Sequence, residues 1–145
     1  YNVSVTNLSN KNMKKGYKEN IENLTIANND FRQVVYTGAH MQLVLMSLKP
    51  GEDIGLETHA DNDQFFRFDA GEGKVLINGN EYEVGDGDVV VVPAGAEHNV
   101  INTSLDQDLK LYTIYAPSHH QDGTIRANKS EALADSPDFD GKTTE

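Results

Sequence analysis

Short apolar runs rich in β-branched residues fill residues 31–116, and Gly, Pro, Asn or Asp separates each run from the next. Each run has the length of one strand, and no helical period connects them. The tightest turn is at Asn78 and Gly79, because Asn-Gly is the dipeptide that most strongly indicates a two-residue hairpin. Many short strands at roughly even spacing predict an all-β barrel or sandwich.

The segments on either side of these strands are more polar. We interpret residues 1–30 as an N-terminal arm, with one strand at residues 3–6 and a short helix or extended segment in residues 20–30. Residues 31–116 are the predicted barrel, and residues 117–145 a C-terminal extension that ends in a solvated tail. No repeat or linker indicates a second domain, so the 145 residues predict a single domain.

One short helical turn is expected in the C-terminal extension, over Lys129–Ala134, with Ser130 as its N-cap. Because the chain does not begin with Met, we regard Met13 as a candidate natural start.

The charge balance argues against several classes of partner. With 12 basic and 23 acidic side chains, the formal net charge is −11, which repels phosphate backbones and anionic lipids. We therefore expect no nucleic-acid partner and no membrane partner. No apolar run has the length of a membrane-spanning helix, and the first residues contain no apolar signal segment. Without cysteine, disulfides and thiolate metal sites are excluded. These features predict a cytoplasmic protein.

Side chains with metal-ligand chemistry occur near the starts of two predicted strands. In the first place, Glu57 and His59 lie two residues apart, so an extended chain directs both to the same face. Gln64 then begins a strand and shares its face with Phe66 and Phe68, which predicts that this face is interior.

The second place is the strand that begins near His98. A turn at residues 93–95 precedes His98, which shares its face with Val100 and Asn102. Glu57, His59, Gln64 and His98 together offer two imidazoles, one carboxylate and one amide oxygen. Such ligands suit one divalent transition metal and leave room for water or substrate.

At these residues the sequence resembles the cupins, which are small β-barrels of the jelly-roll type. The positions at the spacing of the first cupin motif are Gly51, Glu57, His59, Gln64 and Gly71. Those that match the second motif without a gap are Gly87, Pro93, Gly95, His98 and Asn102. The resemblance implies an all-β, single-domain cupin barrel with its metal site inside the cavity.

The chain departs from the full cupin ligand set at two positions. Glu57 stands at the first His position, and Gln64 stands at the Glu position. Both side chains still supply oxygen, so we expect a site of lower affinity that accepts Mn, Fe, Ni, Zn or Co. Glu57 is either a ligand or an unbound general base beside the metal, and it is the candidate catalytic residue.

The resemblance implies a small metalloenzyme, similar to the phosphomannose-isomerase-like cupins. It would act on a sugar, sugar phosphate or small oxygenated acid by isomerase-like proton transfer. The alternatives are a non-catalytic cupin that binds a small molecule, and an Fe(II) dioxygenase. The resemblance also implies a homodimer that pairs through edge strands, with the N-terminal arm as a possible exchanged strand.

Other polar residues receive more ordinary interpretations. Gln42 points into the cavity only if the face that it shares with Val44 is the interior one. Arg67 is expected at the surface, and Asp69 is expected to be a solvated loop charge. No role is assigned to three further histidines, which are His40, His119 and His120.

Overall fold

The computed structural model describes residues 13–145, so the strand predicted at residues 3–6 lies outside the described residues. Two helices and ten strands follow one another along this part of the chain. In chain order they are α1 (Ile21–Ala27), β1 (Arg32–Thr37), β2 (Gln42–Leu48), β3 (Glu57–Thr58), β4 (Asp63–Ala70), β5 (Glu72–Ile77), β6 (Asn80–Gly85), β7 (Val89–Val92), β8 (Glu97–Asn102), β9 (Leu109–Ala116), β10 (Ile125–Arg126) and α2 (Lys129–Ala134).

The strands form two antiparallel sheets that face each other. One has the order β10-β1-β2-β9-β4-β7, and the other has the order β3-β8-β5-β6. The larger sheet contributes Val44 and Phe68 to the core, and the smaller sheet contributes Val75 and Val100, all of them fully buried. This arrangement confirms the predicted all-β jelly-roll barrel.

The hairpin predicted at Asn78 and Gly79 joins β5 to β6. Both residues have a positive φ, of 47° and 81°, and Ile77 pairs with Asn80 across the turn. Positive φ at both central positions is the requirement of a type I′ turn, which Asn-Gly adopts at low cost.

Strand β4 follows simple alternation, but one prediction of solvent exposure on its outer face fails. Gln64, Phe66 and Phe68 are buried on the interior face as predicted, and the Arg67 side chain is 38% exposed. Asp69, however, is only 5% exposed, so its interpretation as a solvated charge is wrong. Asp69 lies on the same side of β4 as Arg67, with its carboxylate 3.6 Å from Arg67 Nε, and it is buried there beside Thr25 of α1.

Both short helices have a polar residue at the N-cap. The Asn20 side chain accepts a hydrogen bond from the backbone N–H of Asn23 at the start of α1. At α2, Asn128 accepts from Glu131 N–H at 2.9 Å, so the prediction of Ser130 as the cap is wrong. Ser130 lies inside the helix, one residue after its start. Neither helix within residues 13–145 is long and apolar enough to cross a membrane.

The C-terminal tail is mostly exposed, as predicted, but it is attached to the barrel by backbone hydrogen bonds. Phe139 N–H donates to His119 O, and Thr144 N–H donates to Thr37 O, both at 2.9 Å. The tail therefore follows the rim of the barrel instead of extending freely into solvent.

Candidate metal centre

Strand β3 brings Glu57 to the second predicted ligand segment. In the ladder between β3 and β8, Glu57 is directly opposite His98. The chain before β3 is fixed to β8 as well, because Gly55 N–H donates to the Asn99 side chain at 2.9 Å. The donor atoms of Glu57, His59 and His98 all lie within 4.8 Å of one another.

The turn before β8 connects the two segments by a backbone contact. Gly95 has a φ of 87°, in the region that favours glycine, and its N–H donates to the His59 carbonyl oxygen at 2.8 Å. The loop that presents His59 and the loop that presents His98 are therefore held at a fixed separation.

The imidazole of His98 is oriented with one nitrogen toward the cavity. Its Nδ1 is 3.0 Å from the Ala96 carbonyl oxygen, so Nδ1 carries the proton and donates. In the neutral ring, Nε2 then bears the lone pair. It is buried and has no hydrogen-bond partner among residues 13–145. A neutral imidazole fixed in this tautomer is the form that binds a metal.

His59 and Glu57 contact each other within the cluster. His59 Nε2 is 3.2 Å from Glu57 Oε2, and the two side chains are 10% and 32% exposed. Burial raises the pKa of the Glu57 carboxyl. The hydrogen bond from His59 and the nearby positive groups outweigh that effect, so the pKa lies below its ordinary value. Glu57 is therefore ionised at neutral pH.

Gln64 presents an oxygen atom that no described group satisfies. Its Nε2 donates to Thr113 Oγ1 at 3.0 Å, which sets the orientation of the amide. Oε1 is buried and has no hydrogen-bond partner in the described part of the chain. In the ladder of β4 with β9, Gln64 is paired with Tyr115.

These residues fit a divalent transition metal. A buried acceptor without a donor costs about 1–3 kcal/mol, and this site contains two, on His98 and Gln64. A bound cation would satisfy both lone pairs. Ligands at about 2.0–2.2 Å from one ion lie at most about 4.4 Å apart, so the three clustered donors need to approach only slightly. Two imidazoles with one carboxylate suit Mn, Fe, Ni, Zn or Co.

Two histidines without a predicted role lie beside this cluster. The ring of His119 is 4.4 Å from that of His59, centroid to centroid, and 5.1 Å from that of Tyr115. His120 Nε2 is 3.3 Å from the Tyr115 hydroxyl. Burial lowers the pKa of His119, and it lowers the pKa of His120 to about 2, so His120 is neutral.

The buried side chain of Gln42 fixes the backbone of this histidine pair. Gln42 Oε1 accepts from His119 N–H at 3.2 Å and from His120 N–H at 2.9 Å, and Nε2 donates to His120 O at 2.7 Å. Gln42 is therefore on the interior side of β2. The sequence contained one indication of this role, because His119 and His120 closely follow the last predicted strand of the barrel. Only the pairing of that strand with β4 shows that the two histidines lie at the metal centre.

Two cavities meet at His119. One, of about 200 Å³, contains Glu57, Arg32 and His120 in its wall. The other, of about 380 Å³, lies on the His59 side and contains Asn62 and Phe139 in its wall. Grooves of about 390 and 440 Å³ on the outer surface along β6 contain none of the predicted ligands.

Comparisons with known proteins agree with this architecture. The family model described as "Cupin domain" matches residues 44–115. YrkC, an uncharacterized protein of Bacillus subtilis (strain 168), is 46% identical over 126 residues, which cover 83% of this chain and 67% of YrkC. An uncharacterized protein of Acanthamoeba polyphaga mimivirus is 41% identical over 124 residues, which cover 83% of this chain and 78% of that protein.

A solved structure superimposes on most of the chain. The crystal structure of BH2720 from Bacillus halodurans has a TM-score of 0.81 and 41% sequence identity, and it covers 86% of this chain and 98% of that one. The similarity therefore extends beyond the strands that contain the two motifs.

Proposed function

The chain belongs to the cupin family, and from this premise we propose that it holds one divalent transition metal through Glu57, His59 and His98. The observation that supports this most directly is the convergence of the three donor atoms within 4.8 Å. The buried His98 Nε2, which lacks a partner among residues 13–145, adds to it.

Gln64 is the proposed fourth ligand. Its amide is held by Thr113 so that the carbonyl oxygen, and not the amide nitrogen, is left for the metal. An amide oxygen is a neutral and weaker ligand than a carboxylate, so the single negative charge of the ligand set is that of Glu57.

The proposed activity is that of a small metalloenzyme. Its substrate would be a sugar, sugar phosphate or small oxygenated acid, changed by isomerase-like proton transfer. When bound, the metal supplies Lewis-acid polarisation of a carbonyl or hydroxyl group. Glu57 is the proposed catalytic residue, because an ionised carboxylate at the edge of the cavity can hold or accept a proton. Phe66 and Phe68 are buried on the interior side, and the Phe66 ring lies 6.1 Å from that of His98.

The test is the metal content of purified protein. Parent, His59→Ala and His98→Ala are prepared without chelator and without a nickel column, and elemental analysis measures the bound metal. We expect about one equivalent in the parent and a loss of most of it in both variants. His40→Ala, at an exposed loop histidine, is the matched control and keeps the metal. Equal metal in all four proteins would reject the proposal.

A second candidate is a cupin that binds a small molecule without turnover. The weakened ligand set favours it, because the neutral amide oxygen of Gln64 would hold a metal less tightly than a carboxylate does. Ligand-induced thermal stabilisation without product would indicate this function. Oxygen consumption that requires Fe(II) would instead indicate a dioxygenase, whereas an isomerase works anaerobically.

Members of the cupin family commonly bind small molecules, and such a ligand is the partner proposed here. The homodimer and the cytoplasmic location stay predictions. Sedimentation analysis of the parent protein measures its oligomeric state. The same measurement on a version lacking residues 1–12 tests the exchange of the N-terminal arm.

A further inference from the structure

Arg32 is a buried cation on the interior face of the barrel. It begins β1, where it shares its face with the core residue Val34 and pairs with Met46 of β2. Only 5% of Arg32 is exposed. A guanidinium at such a position is costly unless an anion or several hydrogen bonds compensate it.

The contacts of Arg32 do not include a counter-ion. One terminal nitrogen donates to Ser136 Oγ at 3.3 Å, and the guanidinium lies 5.4 Å from the centre of the Phe31 ring. Nε is buried without a hydrogen-bond partner in the described chain. No carboxylate of residues 13–145 forms an ion pair with Arg32.

The same guanidinium lines the cavity of about 200 Å³ that Glu57 borders. Lys129 also lies at this cavity, but its charge is paired with Asp53, which additionally accepts a hydrogen bond from Asn99 at 2.8 Å. Asp138 lies in the exposed tail at the rim. Glu57 lies in the same wall, and the charge of Arg32 helps to lower its pKa, but the ion pair of Glu57 is with His59. Arg32 is therefore the buried charge in the wall that has no ion-pair partner among residues 13–145.

We propose that Arg32 binds the carboxylate of the substrate, and that the substrate is a small 2-hydroxy or 2-oxo acid. This rests on the proposed function, because it places the second oxygen of the acid toward the metal centre at Glu57. A guanidinium fork matches a carboxylate in geometry and charge. A cavity of about 200 Å³ has room for a small acid of this kind.

The competing explanation is that Arg32 only holds the segment after α2 through Ser136. The two explanations predict different effects of the charge of the ligand on its affinity. If Arg32 binds a carboxylate, the parent protein distinguishes lactate from its neutral analogue lactamide, which has nearly the same shape. If Arg32 is only structural, any such preference comes from the metal and is kept in Arg32→Gln.

The experiment is calorimetric titration of metal-loaded protein with lactate, pyruvate and lactamide. The proteins are the parent, Arg32→Gln, Arg32→Lys and Ser136→Ala, with metal content measured on each sample. We expect lactate or pyruvate to bind the parent, and lactamide to bind about tenfold or more weakly. Arg32→Gln loses this discrimination, Arg32→Lys keeps part of it, and Ser136→Ala keeps most of it, at unchanged metal content.

Three results would overturn the inference: no binding of either acid to the parent, equal binding of lactate and lactamide, or Arg32→Gln that binds both acids like the parent. Because a metal ion also prefers a carboxylate to an amide, the deciding comparison is that of the parent with Arg32→Gln, and Arg32→Lys takes its place if Arg32→Gln does not fold. A parent without metal rejects the proposed function separately. The acids are then titrated into that metal-free protein, where loss of lactate binding in Arg32→Gln still supports the anchoring role.

Discussion

Glu57 and His98 are directly opposite each other in the ladder of β3 with β8. A single pair of strands thus brings the first ligand segment to the second. Residues that are directly opposite in an antiparallel ladder have Cβ atoms about 4.5–5.5 Å apart, which is close enough for both side chains to reach one ion. Because β3 has only two residues, contacts outside the ladder must keep this register.

The hydrogen bond from Gly95 to His59 is one such contact, and Gly95→Ala tests it. The φ of 87° is strained for alanine although the space around its Cβ is open, so we expect a loss of about 1–2 kcal/mol in the free energy of unfolding. We also expect weaker metal binding, because the strained turn displaces the N–H that holds His59.

Gly87→Ala is the matched control for that change. Gly87 has a φ of 89°, also has open space around its Cβ, and lies in the turn before β7. It should lose a similar amount of stability by denaturant unfolding and keep its metal affinity. Equal metal affinities of the two variants would show that the Gly95 contact does not position His59.

Asp69→Asn is expected to stabilise the protein at neutral pH. Burial raises the pKa of the Asp69 carboxyl, while Arg67 at 3.6 Å partly offsets this. The pKa of Asp69 is therefore higher in the folded protein than in the unfolded chain. Its contribution to stability is fully present below the unfolded pKa and is lost as the pH rises through the folded pKa. The parent should therefore lose stability as pH rises through that window, and Asp69→Asn should not.

Thermal unfolding across that pH range measures the difference in stability between the parent and Asp69→Asn. We expect this difference to be about 1 kcal/mol, or about 2–4 °C in Tm, at pH 7. Asp61→Asn, at an exposed position, is the control and should follow the parent. A variant that is less stable than the parent at pH 7 would mean that the Arg67 contact outweighs the cost of burial.

Asn128→Ala should destabilise α2, which covers the cavity that contains Arg32. Loss of an N-cap acceptor costs about 1 kcal/mol, because Glu131 N–H loses its partner. Ser130→Ala removes a hydroxyl inside the same helix and should be close to neutral. Hydrogen exchange of the α2 amides measures both, and a larger effect of Ser130→Ala would assign the cap to that residue.

The sequence predicted the barrel well because strand length, turns and alternation are local properties. The alternation of Gln64, Phe66 and Phe68 identified an interior face correctly, and Asn78-Gly79 located a hairpin. Asp69 was misinterpreted because its burial depends on α1, which packs against β4 and which no pattern within β4 reveals. The site was incomplete for the same reason. His119 meets His59 only because β9 ends beside the start of β4, and no local pattern states which strands pair.

Gln42 provides the strongest test of that non-local part of the site. Gln42→Leu keeps the approximate volume but leaves the backbone N–H groups of His119 and His120, and one carbonyl oxygen, without their buried partner. At about 1–3 kcal/mol for each unsatisfied group, partly relieved by relaxation, we expect a loss of about 2–4 kcal/mol in the free energy of unfolding.

Gln33→Leu, at a half-buried position on β1, is the matched control and should cost much less. Denaturant unfolding measures both, and the ring of His119 should also become more mobile in its NMR signals. If Gln42→Leu were as stable as Gln33→Leu, the histidine pair would be held by the tail contact of Phe139 with His119 and not by Gln42.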